Sequence, residues 1–197
     1  MKTLKKIFIP LMGIALIIGG LYLVFKPKID SYFVQRENDE KIEQYETSQK
    51  QDNKVTEVPK DKSKVVGVLR IPSVNIEEAV YPGPATPEQL DRGVAFAEEE
   101  ESLTDQNISI AGHTDYNLYN QFTDLHKAKK GDKVTFTVGS ETRKYKITSI
   151  KDVDPSQVEV LEEMKKDKDQ LTLITCDDFD PDTGQWLKRS IYVAEAA

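Results

Sequence analysis

The stretch VTFTVGSETRKYKITSI, residues 134–150, carries the pattern that decides the fold. Val134, Phe136 and Val138 alternate with threonines, which is the two-residue period of a strand with one buried face. After the turn residues VGSE, residues 143–150 resume strand-forming sequence. The segment therefore predicts a β-hairpin with one face against a core.

Short strand-like runs bounded by turn residues lie on both sides of this hairpin. Pro72 ends the first of them, and Pro82 and Pro84 follow the second, because proline cannot donate a hydrogen bond to a sheet. The predicted strands are VVGVLRI (65–71), VNIEEAV (74–80), NISIAG (107–112), QLTLIT (170–175) and KRSIYVA (188–194).

Helical signals are few in this region. Thr86 and Pro87 predict a helix start in TPEQLDRG (86–93), and Gly131 closes a second candidate, YNQFTDLHKAKKG (119–131). Seven to eight short strands with two or three short helices indicate a mostly β domain. The simplest arrangement is a closed β-barrel, which leaves no unpaired sheet edge.

The N-terminus carries a membrane signal. Residues 7–25 run for nineteen positions without a charge, which as a helix spans about 28 Å, close to the thickness of a bilayer core. Residues 1–6 are basic, so we expect a cytoplasmic N-terminus, a single span and an extracellular C-terminal part. A cleaved signal peptide is the alternative, but the apolar run is long and lacks an A-x-A-like cleavage site.

Composition limits the remaining possibilities. Residues 26–60 are polar and predict a linker without a core of its own, in which the helical spacing of Ile42 and Tyr45 is interpreted as chance. Residues 61–197 are enough for one domain. Residues 1–28 hold five lysines and no acids, so the formal net charge of −7 leaves −12 on the rest, which argues against a nucleic-acid partner.

Cys176 is the only cysteine in the chain. A lone thiol in an exported domain cannot form an internal disulfide, so it is either a buried small side chain or a reactive group. Because Asp177 and Asp178 follow it, we expect Cys176 at the point where a strand leaves the core for a loop. That position suits a nucleophile.

A cysteine nucleophile needs a partner that favours its thiolate form, and the chain has two histidines. His113, after Gly112 in SIAGHTD, ends a predicted strand, whereas His126 lies among lysines on a predicted amphipathic helix. We therefore favour His113 and interpret His126 as a surface residue. Arg189 begins the last predicted strand; if that strand pairs with QLTLIT, Arg189 lies near Cys176 and can bind an oxyanion. An ordinary surface arginine is the alternative.

The motifs TLITC, AGHT, YPGPATPEQLDRGV and an arginine in WLKRSIYVA resemble those of the class A sortases, particularly the staphylococcal type. The resemblance runs from about Pro59 to Ala194. It implies a β-barrel transpeptidase that cleaves surface proteins at an LPXTG sorting signal between Thr and Gly. A thioacyl-enzyme would form, and its acyl group would pass to an amine of a lipid-linked peptidoglycan precursor, for which a glycine-type acceptor is expected.

The resemblance also implies site residues. Cys176 is the nucleophile, His113 the general acid and base, and Arg189 the donor to the substrate backbone or oxyanion. Trp186 would stand near the exit of an apolar groove for the Leu and Pro of the signal. The groove residues that the resemblance implies, which the sequence alone explains equally well as barrel core, are Ala85, Ala97, Ala111, Val158, Val160, Leu161, Ile174, Ile191 and Val193.

A calcium ion is the one cofactor that the resemblance implies, as an activator that the chemistry does not require. Four consecutive glutamates, residues 98–101, are by themselves a typical solvated loop. In the resembling family such a loop binds Ca²⁺, a cation that prefers oxygen ligands. The implied ligands are Glu98, Glu101, Asp105, Asn107 and Glu163.

Two other functions stay open at the level of sequence. A membrane-anchored cysteine peptidase would use the same residues but pass the acyl group to water. A calcium-dependent surface-binding barrel without enzymatic activity would use Cys176 only for packing, and alkylation of Cys176 in the folded protein would exclude it.

Overall fold

The computed structural model describes residues 2–49, 57–114, 121–157 and 168–197, with side chains from residue 11 onward. Eight strands form a closed barrel in the order β1-β2-β3-β4-β7-β8-β6-β5, which confirms the mostly β prediction. The strands are β1 Gly67–Ile71, β2 Ile76–Tyr81, β3 Val94–Phe96, β4 Asn107–Gly112, β5 Lys133–Val138, β6 Glu141–Val153, β7 Gln170–Asp180 and β8 Gln185–Ala196.

The hairpin of residues 134–150 is confirmed as β5 and β6. Val134 pairs with Tyr145 and Phe136 with Arg143 in an antiparallel ladder. Val134, Phe136 and Val138 are buried while the threonines between them are half exposed. β5 also pairs with β1, which closes the barrel.

Three elements differ from the prediction. The sequence analysis missed β3 because only four residues separate Gly93 from the acidic loop at residues 98–101, too few to show a period. β7 continues through Asp177 and Asp178 to Asp180. Cys176 therefore lies inside a strand of a long hairpin, and the loop that we expected directly after Cys176 begins only after Asp180. The predicted helix 119–131 is only a 3-10 helix, Thr123–Lys127, although residues 119 and 120 lie outside the described residues.

Three other helices lie within the described residues, and the first is α1, Lys2–Gln49. A second 3-10 helix is Pro72–Val74, and α2 is Pro87–Leu90, where the Thr86 hydroxyl accepts a hydrogen bond from the Gln89 N–H. That N-cap was predicted. Helix α1 is long and apolar enough near the N-terminus to cross a membrane, by length and composition.

Residues 26–49 continue helix α1, and the interpretation of Ile42 and Tyr45 as chance spacing in a solvated linker is wrong. Ile42 and Tyr45 are buried against Val68, Tyr81 and other residues of the barrel. Each buried side chain of this size contributes about 1.5–3 kcal/mol, enough to offset part of the ordering entropy. The spacing that looked accidental in the sequence is the docked face of the helix. The predicted domain limits at residues 6, 25 and 60 stay predictions.

Candidate active site

Cys176, His113 and Arg189 lie in a row across three neighbouring strands. β4 and β7 are parallel and pair Ala111 with Ile174 and Gly112 with Thr175. His113 and Cys176 are the residues that follow the last of these pairs. β8 runs antiparallel to β7 and places Arg189 opposite Cys176. Adjacent strands lie about 4.8 Å apart. The pairing of β7 with β8, on which the prediction for Arg189 depended, is confirmed.

Two buried threonine hydroxyls fix β4 against β7 beside this row. Thr175 donates a hydrogen bond of 2.9 Å to the carbonyl of Gly112, and the hydroxyls of Thr175 and Thr114 also bond to each other. These contacts hold the residues on both sides of His113 to the residue before Cys176. The sequence analysis missed them. Their signal was a hydroxyl residue next to each candidate catalytic side chain.

The backbone of His113 is held from the following segment. Its N–H donates to Oε1 of Gln121 at 2.7 Å, and its carbonyl accepts from the N–H of Phe122 at 2.9 Å. A side chain at Gly112 would place Cβ 2.7 Å from the Phe122 ring and 2.9 Å from Val94. Glycine is therefore required before His113.

The thiol of Cys176 is partly buried, and its charge state follows from that. Burial raises the pKa of Cys176 above that of an exposed thiol, while the nearby charge of Arg189 lowers it by less. The thiol form therefore predominates at neutral pH. A nucleophilic thiolate needs a second neighbouring group that accepts its proton.

An apolar cavity of about 170 Å³ begins beside Arg189. It gathers five residues of the predicted groove, namely Ala85, Ala97, Ala111, Ile174 and Ile191. It also includes residues that the sequence analysis missed, namely Val153, Asp154, Pro155 and Gln157. Val153 is the last residue of β6 and the other three follow it, in a segment where no periodicity pointed toward the site.

The other predicted groove residues are not in this cavity. Val193 packs with Val153 and Ile191 in a small apolar cluster beside it. Trp186 lies further along the β7–β8 hairpin, where its ring contacts Phe179 at a centroid distance of 5.1 Å. Val158, Val160 and Leu161 lie outside the described residues.

The acidic loop places one carboxylate in an unusual environment. Glu101 accepts a hydrogen bond from the N–H of Ser109 on β4. Burial raises the pKa of Glu101 to about 7; the Ser109 hydrogen bond opposes this, and the charges of Asp105 and Glu98 add to it. Several carboxylates thus act on one another in a loop that is bonded to β4, the strand that precedes His113.

The other predicted metal ligands have different partners. Asp105 accepts from the N–H of Ser102 at 2.6 Å within the same loop, whereas the side-chain oxygen of Asn107 accepts from the hydroxyl of Thr172 at 2.7 Å and from the amide of Gln170 at 3.2 Å. Glu163 lies outside the described residues. Among the side chains that the structure describes, no three of His, Cys, Asp or Glu lie close enough together to hold a metal ion.

The donor chemistry of the acidic loop nevertheless fits a hard cation. Glu98, Glu101 and Asp105 supply carboxylate oxygens, and their mutual repulsion is part of what raises the Glu101 pKa. A divalent cation would relieve that repulsion. The three carboxylates fit a calcium ion in kind, and they would need further oxygen ligands to complete its coordination.

His126 lies away from this site. It is exposed on the 3-10 helix Thr123–Lys127, and its Nδ1 is 2.7 Å from the carbonyl of Thr123. The interpretation of His126 as a surface histidine is confirmed, and His113 is the histidine that shares a sheet neighbourhood with Cys176.

The chain is similar to known proteins along most of its length. Residues 69–197 match the family described as the Sortase domain. Sortase A of Staphylococcus aureus (strain NCTC 8325 / PS 47) is 54% identical over 202 residues, covering 98% of both chains. Sortase A of Listeria monocytogenes is 31% identical, covering 84% of this chain and 83% of the relative.

Solved structures show the same fold. The crystal structure of sortase A from Listeria monocytogenes aligns with a TM-score of 0.58 and 30% identity, over 68% of this chain and 87% of that one. A Clostridium perfringens Sortase D5 transpeptidase aligns with a TM-score of 0.64 over 82% of this chain and 99% of that one. At 18% identity, the second match supports the fold alone.

Proposed function

The chain belongs to the sortase family, and from this premise we propose how its own residues carry out the reaction. The protein is a sortase A-type cysteine transpeptidase that anchors surface proteins to the cell wall. It cleaves LPXTG sorting signals between Thr and Gly and transfers the acyl group to an amine of the peptidoglycan precursor. The adjacency of Cys176, His113 and Arg189 on three paired strands supports the residue roles below.

In the first half-reaction, His113 takes the proton of the Cys176 thiol, and the sulfur attacks the threonine carbonyl carbon. The guanidinium of Arg189, opposite Cys176, donates hydrogen bonds to the oxygen on which negative charge develops. When the C–N bond breaks, His113 gives a proton to the departing glycine amine. A thioester on Cys176 remains, and the released peptide leaves with a neutral amine.

In the second half-reaction, the amine of the acceptor attacks the thioester carbonyl. His113 takes the proton that this nitrogen loses, the C–S bond breaks, and Cys176 leaves as a thiolate. The apolar cavity beside Arg189 holds the Leu and Pro of the signal, with Ala97, Ala111 and Ile174 in its walls. Binding the donor in this cavity keeps the acyl group in place while the acceptor replaces the leaving group.

Calcium has a supporting role in this proposal. Glu98, Glu101 and Asp105, with Asn107 and Glu163, would hold the ion, whose positive charge would neutralise the acidic loop. Because Glu101 is bonded to Ser109 on β4, ordering this loop would order the strand that also carries Ala111 and precedes His113. The ion would therefore raise substrate binding and take no part in bond making.

The N-terminal part of helix α1 would anchor the enzyme in the cell membrane. We propose that residues 7–25 span it once, that residues 1–6 stay in the cytoplasm, and that the barrel faces the outside. A lipid-linked precursor with a glycine-type amine would then reach the barrel from the membrane side.

Product analysis tests the proposed reaction. The full chain in lipid vesicles would be given an LPXTG peptide with and without triglycine, and the products identified by mass spectrometry. Without triglycine, we expect slow hydrolysis between Thr and Gly. With triglycine, we expect a new amide bond at Thr. Only free acid in both cases would support the cysteine-peptidase alternative, and no cleavage would contradict the enzymatic roles.

A further inference from the structure

Two separate cavities adjoin the row of candidate catalytic residues. The apolar groove includes Arg189 in its wall and does not include His113. A second cavity, of about 190 Å³, includes His113 in its wall and does not include Arg189 or Cys176. We name this second space the juxtamembrane cavity, because one of its walls is the part of α1 that follows the predicted span.

The α1 wall of the juxtamembrane cavity is a single helix face. The residues recur at the three- and four-residue spacing that places side chains on one side of a helix. They are Asp30, Ser31, Val34, Glu37, Asn38 and Lys41. At 1.5 Å per residue, this face extends from about 8 to about 24 Å beyond residue 25, the last residue of the predicted span.

Specific contacts hold this helix face against the barrel. Asn38 donates a hydrogen bond of 2.8 Å to the carbonyl of Glu77 and accepts one of 3.1 Å from the N–H of Ala79. Lys41 donates to the carbonyl of Arg92 at 3.1 Å. The cavity thus lies between α1 and residues 90–93, with His113 and Gln121 on the barrel side.

We propose that the juxtamembrane cavity receives the amine end of the acceptor substrate, so that helix α1 forms part of the acceptor site. This inference rests on the proposed function. The donor occupies the apolar groove, so the acceptor must reach the thioester from elsewhere, and its nitrogen must meet the group that removes its proton. The juxtamembrane cavity provides an approach that ends at His113.

The charge of the cavity fits a primary amine, which is an ammonium ion in water at neutral pH. Its walls include the carboxylates of Asp30, Glu37, Glu78 and Asp91 against the cations of Lys41 and Arg92. A wall with excess negative charge attracts an ammonium ion. At the end of the cavity, the ammonium group gives one proton to water and becomes a neutral amine. The amine nitrogen then attacks the thioester carbon and passes a second proton to His113, and the C–S bond breaks to release the Cys176 thiolate.

Filling the cavity tests the inference. Val34→Trp places a large ring in its wall, and Phe33→Trp is the matched control, because Phe33 is the neighbouring exposed residue on α1 and does not line the cavity. Each full-length variant in phosphatidylglycerol-containing vesicles would receive an LPXTG peptide and triglycine. The ratio of transfer product to hydrolysis product is measured.

This ratio is independent of the amount of folded enzyme and of the acylation rate, because both products come from one thioester. We expect it to fall about tenfold in Val34→Trp, equivalent to about 1.4 kcal/mol of lost acceptor binding, and to stay at the wild-type value in Phe33→Trp. An unchanged ratio in Val34→Trp, or an equal fall in both variants, would overturn the inference. Absence of transfer by the wild type would instead overturn the proposed function.

Discussion

The hydroxyl of Tyr45 tests whether helix α1 is an integral part of the folded domain. It donates a hydrogen bond of 2.7 Å to the carbonyl of Val66 and accepts one of 2.8 Å from the N–H of Gly139. Tyr45 is only 8% exposed, and both backbone partners are buried. The substitution Tyr45→Phe keeps the packed ring and removes the two hydrogen bonds.

The expected cost follows from these contacts. A buried backbone group left without a partner costs about 1–3 kcal/mol, and Tyr45→Phe creates two of them. Because water would satisfy both groups if the helix detached, the loss cannot exceed the free energy that docks α1 on the barrel. We therefore expect the free energy of unfolding to fall by about 2–3 kcal/mol.

Urea denaturation of the full chain in detergent micelles, followed by tryptophan fluorescence, measures this change. Tyr32→Phe serves as the control, since Tyr32 is 60% exposed on the same helix, and it should leave the midpoint unchanged. Hydrogen exchange at the amide of Gly139 should become faster only in Tyr45→Phe. A loss below about 0.5 kcal/mol, with unchanged exchange at Gly139, would refute the docking of α1 by this contact.

Three further predictions concern charge and catalysis. The first is measured with a chelator present, so that no calcium is bound. Folding raises the pKa of Glu101 from 4.5 to about 7, so the folded protein holds this proton more tightly, and the free energy of unfolding should fall as the pH rises from 4.5 through 7. In urea titrations at several pH values, Glu101→Gln should reduce this dependence on pH. Arg189→Ala should move the pH midpoint of Cys176 alkylation upward, because the guanidinium lowers the thiol pKa, and an unmoved midpoint would contradict this. His126→Ala should keep near wild-type transpeptidation while His113→Ala loses at least about 100-fold; similar losses would show that the histidines were assigned wrongly.

The sequence predicted the barrel because its signals are local. Alternation in Val134, Phe136 and Val138 and the turn before residue 143 lie within a few residues of each other, and the burial of one face fixes the register. β3 was missed because three residues carry no period. The continuation of β7 past Cys176 was missed because Asp177 and Asp178 have low strand propensity, while pairing with β8 overrides it.

The sequence predicted those residues of the candidate site whose side chains are rare in the chain and chemically reactive. Cys176 and His113 were found because the chain offers so few thiols and imidazoles. Gln121, which holds the backbone of His113, and Val153 in the groove carry no such mark, since each becomes important only through partners distant in sequence. The docked face of α1 was misinterpreted for the same reason, because polar composition does not reveal a partner surface.

The most direct test of the central claim is the mass of the intact enzyme during turnover. Full-length protein would be mixed with an LPXTG peptide, quenched in acid and analysed with peptide mapping, before and after addition of triglycine. The account predicts that the acyl fragment ending in Thr is attached to Cys176, that triglycine removes it as a peptide with a new amide bond, and that Cys176→Ala carries no adduct. An enzyme that forms the transfer product without an adduct on Cys176, or an adduct that triglycine does not discharge, would contradict the account.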